Sequence, residues 1–202
     1  MPPAVDVAAF ACESPRRKGP LRVLYAGTVG LAQGLDTLLD AARSAGPAVV
    51  EVTVAGAGAD LDDLRRRAAR ERIDNVQLLG AVAASAVPAL YAAADAGVVL
   101  LRDRPLFEGA LPTKMLESMA AGRPVVLCAA GEAAGFVQRS GGGVVVAPED
   151  PGALAEAFGS LASMPAKRFA ELSRAAVGWA RGYDRGAMAD RMLTLLHSAQ
   201  RT

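Results

Sequence analysis

Histidine, cysteine, lysine and aromatic residues are all scarce in this chain of 202 residues, and each scarcity closes off a class of chemistry. The one histidine, His197, stands among Leu193, Leu195 and Leu196, a setting for packing or surface exposure rather than for a catalytic base. The two cysteines, Cys12 and Cys128, lie far apart with no CxxC or Cys/His grouping, which excludes a disulfide scaffold and a zinc site. Cys128 continues the apolar run Val125, Val126, Leu127 and reads as a small core residue. No apolar run approaches the ~20 residues that span a bilayer. The opening Met1-Pro2-Pro3-Ala4-Val5-Asp6 has neither the basic nor the apolar region of a signal peptide, so a cytoplasmic location is expected, with at most peripheral membrane contact. Charge of one sign is lacking too: a net charge of +1 gives no reason to expect a nucleic-acid partner. The five arginines between Arg65 and Arg72 follow Asp60, Asp62 and Asp63, so the pairs Asp62–Arg66 and Asp63–Arg67 are expected on a solvated helix face.

What the chain has is apolar bulk, 52% of its residues, in a length that suits one domain with a substantial core. Strand-like runs at 21–26, 49–55, 76–79, 96–101, 124–128 and 143–146 alternate with helical patterns at about 31–45, 59–72, 85–93, 113–121, 131–139 and 150–163. That alternation implies βαβ units and an α/β fold with a doubly wound, parallel, six-stranded sheet. Two further helices, about 166–181 and 185–199, follow without another strand. Residues 1–20 read as an irregular lead-in, 21–182 as the domain, and 183–202 as a closing helical segment.

Residues 107–126 are the most informative stretch. After an apolar strand comes a loop, then the helix start Leu111-Pro112-Thr113, then Lys114 and Glu117, with Gly122 and Pro124 ending the helix. In open α/β sheets ligands bind beyond the carboxyl ends of strands, often at helix N-termini. Three residues apart, Lys114 and Glu117 share a helix face, where a lysine suits a phosphate and a glutamate suits sugar hydroxyls. Lysine occurs otherwise only at Lys18 and Lys167, so its use at position 114 in an arginine-rich chain carries weight. The first strand runs into Gly27-Thr28-Val29-Gly30-Leu31-Ala32-Gln33-Gly34, which serves either as an anion-binding loop or as a tight strand-to-helix turn. It is neither a P-loop nor a dinucleotide fingerprint. A second glycine turn, Gly56-Ala57-Gly58, lacks the third glycine and the acidic residue that NAD binding requires. Asp60-Leu61-Asp62 has the form of a DxD metal motif but sits where helix starts favour acids, so no metal is expected.

Taken together these segments resemble the C-terminal domain of family 4 (group 1) glycosyltransferases of GT-B architecture, in the branch acting in bacterial surface-polysaccharide synthesis. The likeness is carried by Tyr25-Ala26-Gly27-Thr28-Val29-Gly30, Val54-Ala55-Gly56-Ala57-Gly58, Leu90-Tyr91-Ala92-Ala93-Ala94-Asp95, residues 101–126, and Gly142-Gly143-Val144-Val145-Val146 to Asp150-Pro151. It implies a Rossmann-like unit that binds a nucleotide diphosphate sugar for metal-independent, retaining transfer, without a cofactor, to a glycan or lipid-linked acceptor. It also implies that Glu117 grips the ribose, that Gly27, Thr28, Gly30 and Gln33 face the diphosphate, that Gly56 forms a pocket wall, and that Gly80 leads into the segment near the base. Leu111, Pro112, Thr113 and Lys114 belong to the same donor motif, with Lys114 and Glu108 as the catalytic candidates.

The chain departs from the resemblance in three ways. Thr28 and Gln33 stand where many members carry an Arg and a Lys. Gly109 takes the first acidic place of the paired-glutamate motif, with Glu108 one residue earlier. The residues correspond to the donor half, so an N-terminal GT-B domain is expected as a separate partner for activity. A nucleotide-binding or scaffolding remnant without transfer is the alternative.

Overall fold

A computed structural model of the chain describes residues 3–11 and 18–199; Cys12 and the side chain of His197 lie outside the described residues. In chain order the elements are α1 (Val7–Phe10), β1 (Leu21–Ala26), α2 (Asp36–Ala45), β2 (Val50–Ala55), α3 (Leu61–Glu71), β3 (Val76–Gly80), α4 (Val87–Ala93), β4 (Ala96–Leu100), α5 (Thr113–Ala120), β5 (Val125–Cys128), α6 (Gly131–Ser140), β6 (Gly143–Val146), α7 (Pro151–Ala162), α8 (Ala166–Arg181) and α9 (Arg185–Ala199). The six strands form one sheet in the order β3-β2-β1-β4-β5-β6, every neighbouring pair parallel, which is the expected doubly wound arrangement.

The central strands β4 and β5 are covered on both faces and are continuous apolar runs, whereas β2 and β3, toward one edge, alternate. Side chains still alternate in direction along each strand. Val98 and Leu100 of β4 join a core with Leu38 and Leu39 of α2, Leu64 of α3 and Phe158 of α7. Val99 and Leu101 face the opposite core, built from Met115, Leu116 and Met119 of α5, Phe136 of α6 and Ala176 of α8. Because β4 returns to the far side of β1, the sheet's winding reverses between these two strands and leaves a crevice at their carboxyl ends. The start of that junction is locked by Asp95, fully buried. Its carboxylate accepts from the Arg22 backbone N–H at 2.9 Å, from Nε at 3.0 Å and from a guanidinium nitrogen at 2.7 Å. The hydrogen bond to Asp95 holds the Arg22 guanidinium above its ordinary pKa, against the opposing effect of burial.

Four details differ from the sequence-based expectation. α2 starts at Asp36 rather than near 31, because Gly34 adopts φ 59 and the carbonyls of Leu31 and Ala32 bond to Arg102 instead of opening a helix. The lead-in contains α1, whose N-cap Asp6 accepts from the Ala9 N–H at 3.1 Å. That lead-in is also tied to the far end of the domain: the Val5 N–H donates to the Tyr183 carbonyl at 3.0 Å and the Arg185 N–H to the Val5 carbonyl at 2.9 Å. The ion pairs of α3 are shifted by one: Asp62 pairs with Arg65 at 3.3 Å and Asp63 with Arg66. Arg67 turns inward, pairing with Asp36 at 3.2 Å, with Asp40, and with Glu71 at 3.1 Å. This joins α3 to α2, so the arginine run does not form a free basic surface.

Replacing Asp95 by Ala should destabilise the fold by about 3 kcal/mol, since it leaves a partly buried guanidinium without its partner. The urea unfolding midpoint, followed through the fluorescence of the single tryptophan, Trp179, reads the change.

Candidate functional site

The crevice is built from the loops that follow β1, β2 and β3 on one side and from the first turn of α5 on the other. Beyond their last paired residues the three strands continue to hydrogen-bond. The Gly27 N–H donates to the Ala55 carbonyl at 2.9 Å, the Val29 N–H to Ala57 at 2.9 Å, and the Gly56 N–H to Gly80 at 2.8 Å. The approach is close enough to dictate residue type. A Cβ on Gly56 would sit 1.7 Å from the Gly27 carbonyl oxygen, and one on Gly58 would sit 2.0 Å from that of Val29. The second glycine turn is therefore required by packing of the first loop against it, whatever else it does.

Between these loops and α5 lies a cavity of about 560 Å³. Gly27, Thr28 and Gln33 line it from the first loop, Gly56 and Ala57 from the second, Ala81 and Val82 from the third, and Pro112, Thr113, Lys114 and Glu117 from α5. The Lys114 ammonium donates to the Tyr25 hydroxyl at 2.8 Å and stands 4.2 Å from the centre of that ring. The Tyr25 hydroxyl in turn donates to the Thr28 carbonyl, so one buried phenol ties the lysine to the glycine loop. Behind them the buried Tyr91 hydroxyl donates to the Lys114 carbonyl at 3.3 Å. Among the described residues no carboxylate forms an ion pair with Lys114, and the Tyr25 bond occupies one of its three N–H groups.

Burial pushes the Lys114 amine down to about 8, against a smaller upward pull from Glu117. Burial likewise raises the Glu117 carboxyl, and Lys114 offsets part of that rise. Burial also raises the Tyr25 phenol, so it stays protonated and can donate to Thr28. A cation and a carboxylate kept partly desolvated at a crevice mouth, each without a full partner, form a site prepared for an outside ligand.

A family profile described as "Glycosyl transferases group 1" matches residues 20–164. The chain belongs to this family. No curated protein matches it. Among solved structures, HepE from Anabaena in complex with UDP-glucose superposes with a TM-score of 0.81 at 20% identity, over 96% of this chain and 56% of that one. Sucrose-phosphate synthase from Thermosynechococcus elongatus gives 0.79 at 21%, over 100% and 52%. The C-terminal domain of the group 1 protein LpcC from Francisella tularensis gives 0.70 at 19%, over 90% and 99%. The likeness is one of fold, the Rossmann-like unit of GT-B glycosyltransferases. The chain spans just over half the length of the HepE structures it matches.

In this group 1 domain, eight of the residues singled out from sequence meet at the cavity: Gly27, Thr28, Gln33, Gly56, Pro112, Thr113, Lys114 and Glu117. Four do not line it. The Gly30 carbonyl accepts the Gln33 N–H at 3.0 Å, and the Gly80 carbonyl supports Gly56. Leu111 packs against the core beside α5. Glu108 is exposed, its carbonyl accepting the Glu132 N–H at 2.7 Å and its backbone lying where a Cβ on Gly131 would be 2.2 Å from its oxygen. Tyr25 is a further site residue that no sequence motif assigns a role; the signal is a buried tyrosine two residues before a glycine loop, whose hydroxyl must find partners. Among the described residues no group of three or more His, Cys, Asp or Glu stands ready to hold a metal, and no helix is long and apolar enough to cross a membrane.

Because the Lys114 amine lies near 8 in the fold, below its ordinary 10.5, its charge costs stability at neutral pH and the cost is relieved as pH rises from 8 to 10.5. Lys114→Met should therefore stabilise the unliganded protein at pH 7 by on the order of 2 kcal/mol. That advantage should vanish above pH 10.5 in urea unfolding compared across pH.

Proposed function

We propose that this chain is the donor-binding unit of a glycosyltransferase that takes a nucleotide diphosphate sugar. The observation that carries the reading is the placement of Lys114, in the first turn of α5, and Glu117, one turn further along the same face, beside the glycine loop around a single cavity. A diphosphate lying between them meets the Lys114 ammonium, the N-terminus of α5 and the loop at Gly27 and Thr28. Glu117, three residues further along α5, accepts hydrogen bonds from ribose hydroxyls. The apolar wall of Ala81 and Val82 lies on the side left for the base. The complexes of HepE with UDP and UDP-glucose support this class of donor.

When the sugar leaves, negative charge grows on the departing diphosphate, and a preorganised ammonium stabilises it most at that moment. In this reading the transfer is retaining, needs no metal or cofactor, and delivers the sugar to a glycan or lipid-linked acceptor, as in the family 4 surface-polysaccharide branch. It takes place in the cytoplasm or at the inner face of the cell membrane. A second unit, the N-terminal GT-B domain, closes the crevice and holds the acceptor. A closed cleft provides the proximity that one domain lacks.

One observation favours a second reading, nucleotide binding without transfer. Thr28 and Gln33 line the cavity where related enzymes carry basic residues, so Lys114 is the single cation among the described lining residues. The two readings share the pocket and differ in turnover with an acceptor-side unit.

Calorimetric titration with UDP, ADP and GDP and with their nucleosides tests the pocket. One of the diphosphates should bind, and Lys114→Ala should weaken it about ten-fold while leaving the matching nucleoside within about two-fold. Glu117→Gln should weaken nucleoside and diphosphate by the same factor. Equal losses for both ligands on replacing Lys114, or rapid sugar transfer by the chain without a second unit, would contradict the account.

A further inference from the structure

Arg102 lies outside the cavity, yet it connects three loops at the carboxyl end of the sheet. Its backbone N–H donates to the Ala32 carbonyl at 3.0 Å and its Nε to the Leu31 carbonyl at 2.7 Å. The guanidinium reaches Glu149 at 2.7 Å and Asp36, at the start of α2, at 3.7 Å. Glu149 uses both oxygens, since the second accepts the Asp103 N–H at 3.0 Å. Arg102 follows β4, Glu149 follows β6, and Leu31 and Ala32 follow β1, so no sheet pairing imposes these contacts.

Two backbone features show that the arrangement is specific. A Cβ on Gly34 would lie 3.1 Å from the Arg102 side chain, and Gly34 has φ 59, so this glycine makes room for the arginine. Glu149 adopts φ 55, uncommon for a residue with a side chain, and the hydrogen bonds of its carboxylate hold it there. Ordinary surface ion pairs contribute little. These side chains are only 28% and 32% exposed, and the pair is reinforced by hydrogen bonds to backbone on both sides.

We propose that Arg102 and Glu149 form a latch that fixes residues 31–34 of the glycine loop at the edge of the cavity, making Arg102 a positioning residue for diphosphate recognition. The inference rests on the donor-binding reading. Gln33, which lines the cavity, lies between the latched carbonyls and Gly34. A loop that meets a diphosphate through backbone and an uncharged side chain depends on its exact placement more than one carrying flexible basic side chains.

The test uses the full chain with Arg102→Ala, Arg102→Lys and Glu149→Ala. In the unliganded protein, amide exchange at Gln33 should quicken about ten-fold in the two alanine variants, with exchange at Val98 in the core unchanged. Affinity for UDP and for inorganic pyrophosphate should fall about five-fold, uridine affinity should hold, and the double alanine variant should be no weaker than either single one. Arg102→Lys keeps the charge but cannot serve Leu31 and Glu149 together. It should show the same pattern in smaller degree, and it decides the matter if an alanine variant does not fold. Unchanged exchange at Gln33, or equal losses for UDP and uridine, would overturn the latch. If the wild type binds none of UDP, ADP, GDP and pyrophosphate the donor reading fails, while exchange at Gln33 still decides whether the latch exists.

Discussion

A buried phenol stands between a lysine and a glycine loop, and the geometry of the crevice follows from that bridge. The Tyr25 hydroxyl has one proton to give, and the Thr28 carbonyl takes it. Its remaining capacity is as an acceptor, which draws the Lys114 ammonium across from α5. The sheet order places β1 beside β4, so the loop after β1 and the helix after β4 face each other with no strand between them. The Asp95–Arg22 lock holds the other end of that junction. Between these two ties the strands keep their register and the loops acquire a defined separation.

The cost of this arrangement is visible in the charges. Lys114 is pushed down to about 8 by burial, and Glu117, also partly desolvated, offsets only part of that shift. A fold selected for stability alone would place an apolar or fully paired side chain there. Retaining a single under-partnered cation at a crevice mouth makes sense when a diphosphate completes its coordination. Thr28 and Gln33 line the cavity without charge, so in the proposed reading that task falls on Lys114 and on backbone groups, and whatever holds the loop in place gains weight.

The elements of the fold were legible because they are written in local pattern. Runs such as Val125, Val126, Leu127, Cys128, buried on both faces, announce parallel strands, and Gly122 with Pro124 marks the end of α5 without ambiguity. The pairing of Lys114 with Glu117 was legible for the same reason, since helix periodicity puts them on one face. What could not be read are contacts between loops far apart in sequence. Tyr25 meets Lys114 across 89 positions, and Arg102 meets Glu149 across 47. Arg67 keeps Glu71 on its own helix but leaves Asp63, because α2 offers Asp36 and Asp40 from outside that helix. Helix 2 begins late because its first residues answer to Arg102. In each case local propensity yields to a partner that only the folded sheet brings near.

If Lys114 is the desolvated cation that a bound diphosphate completes, its own titration reports it. Selective carbon-13 labelling of lysine makes the Lys114 ε-carbon observable by NMR, with Lys114→Arg supplying the assignment. The midpoint should lie near 8 in the unliganded chain and rise clearly when UDP or another bound nucleoside diphosphate is added. A midpoint at the ordinary 10.5 that no nucleotide moves would contradict it.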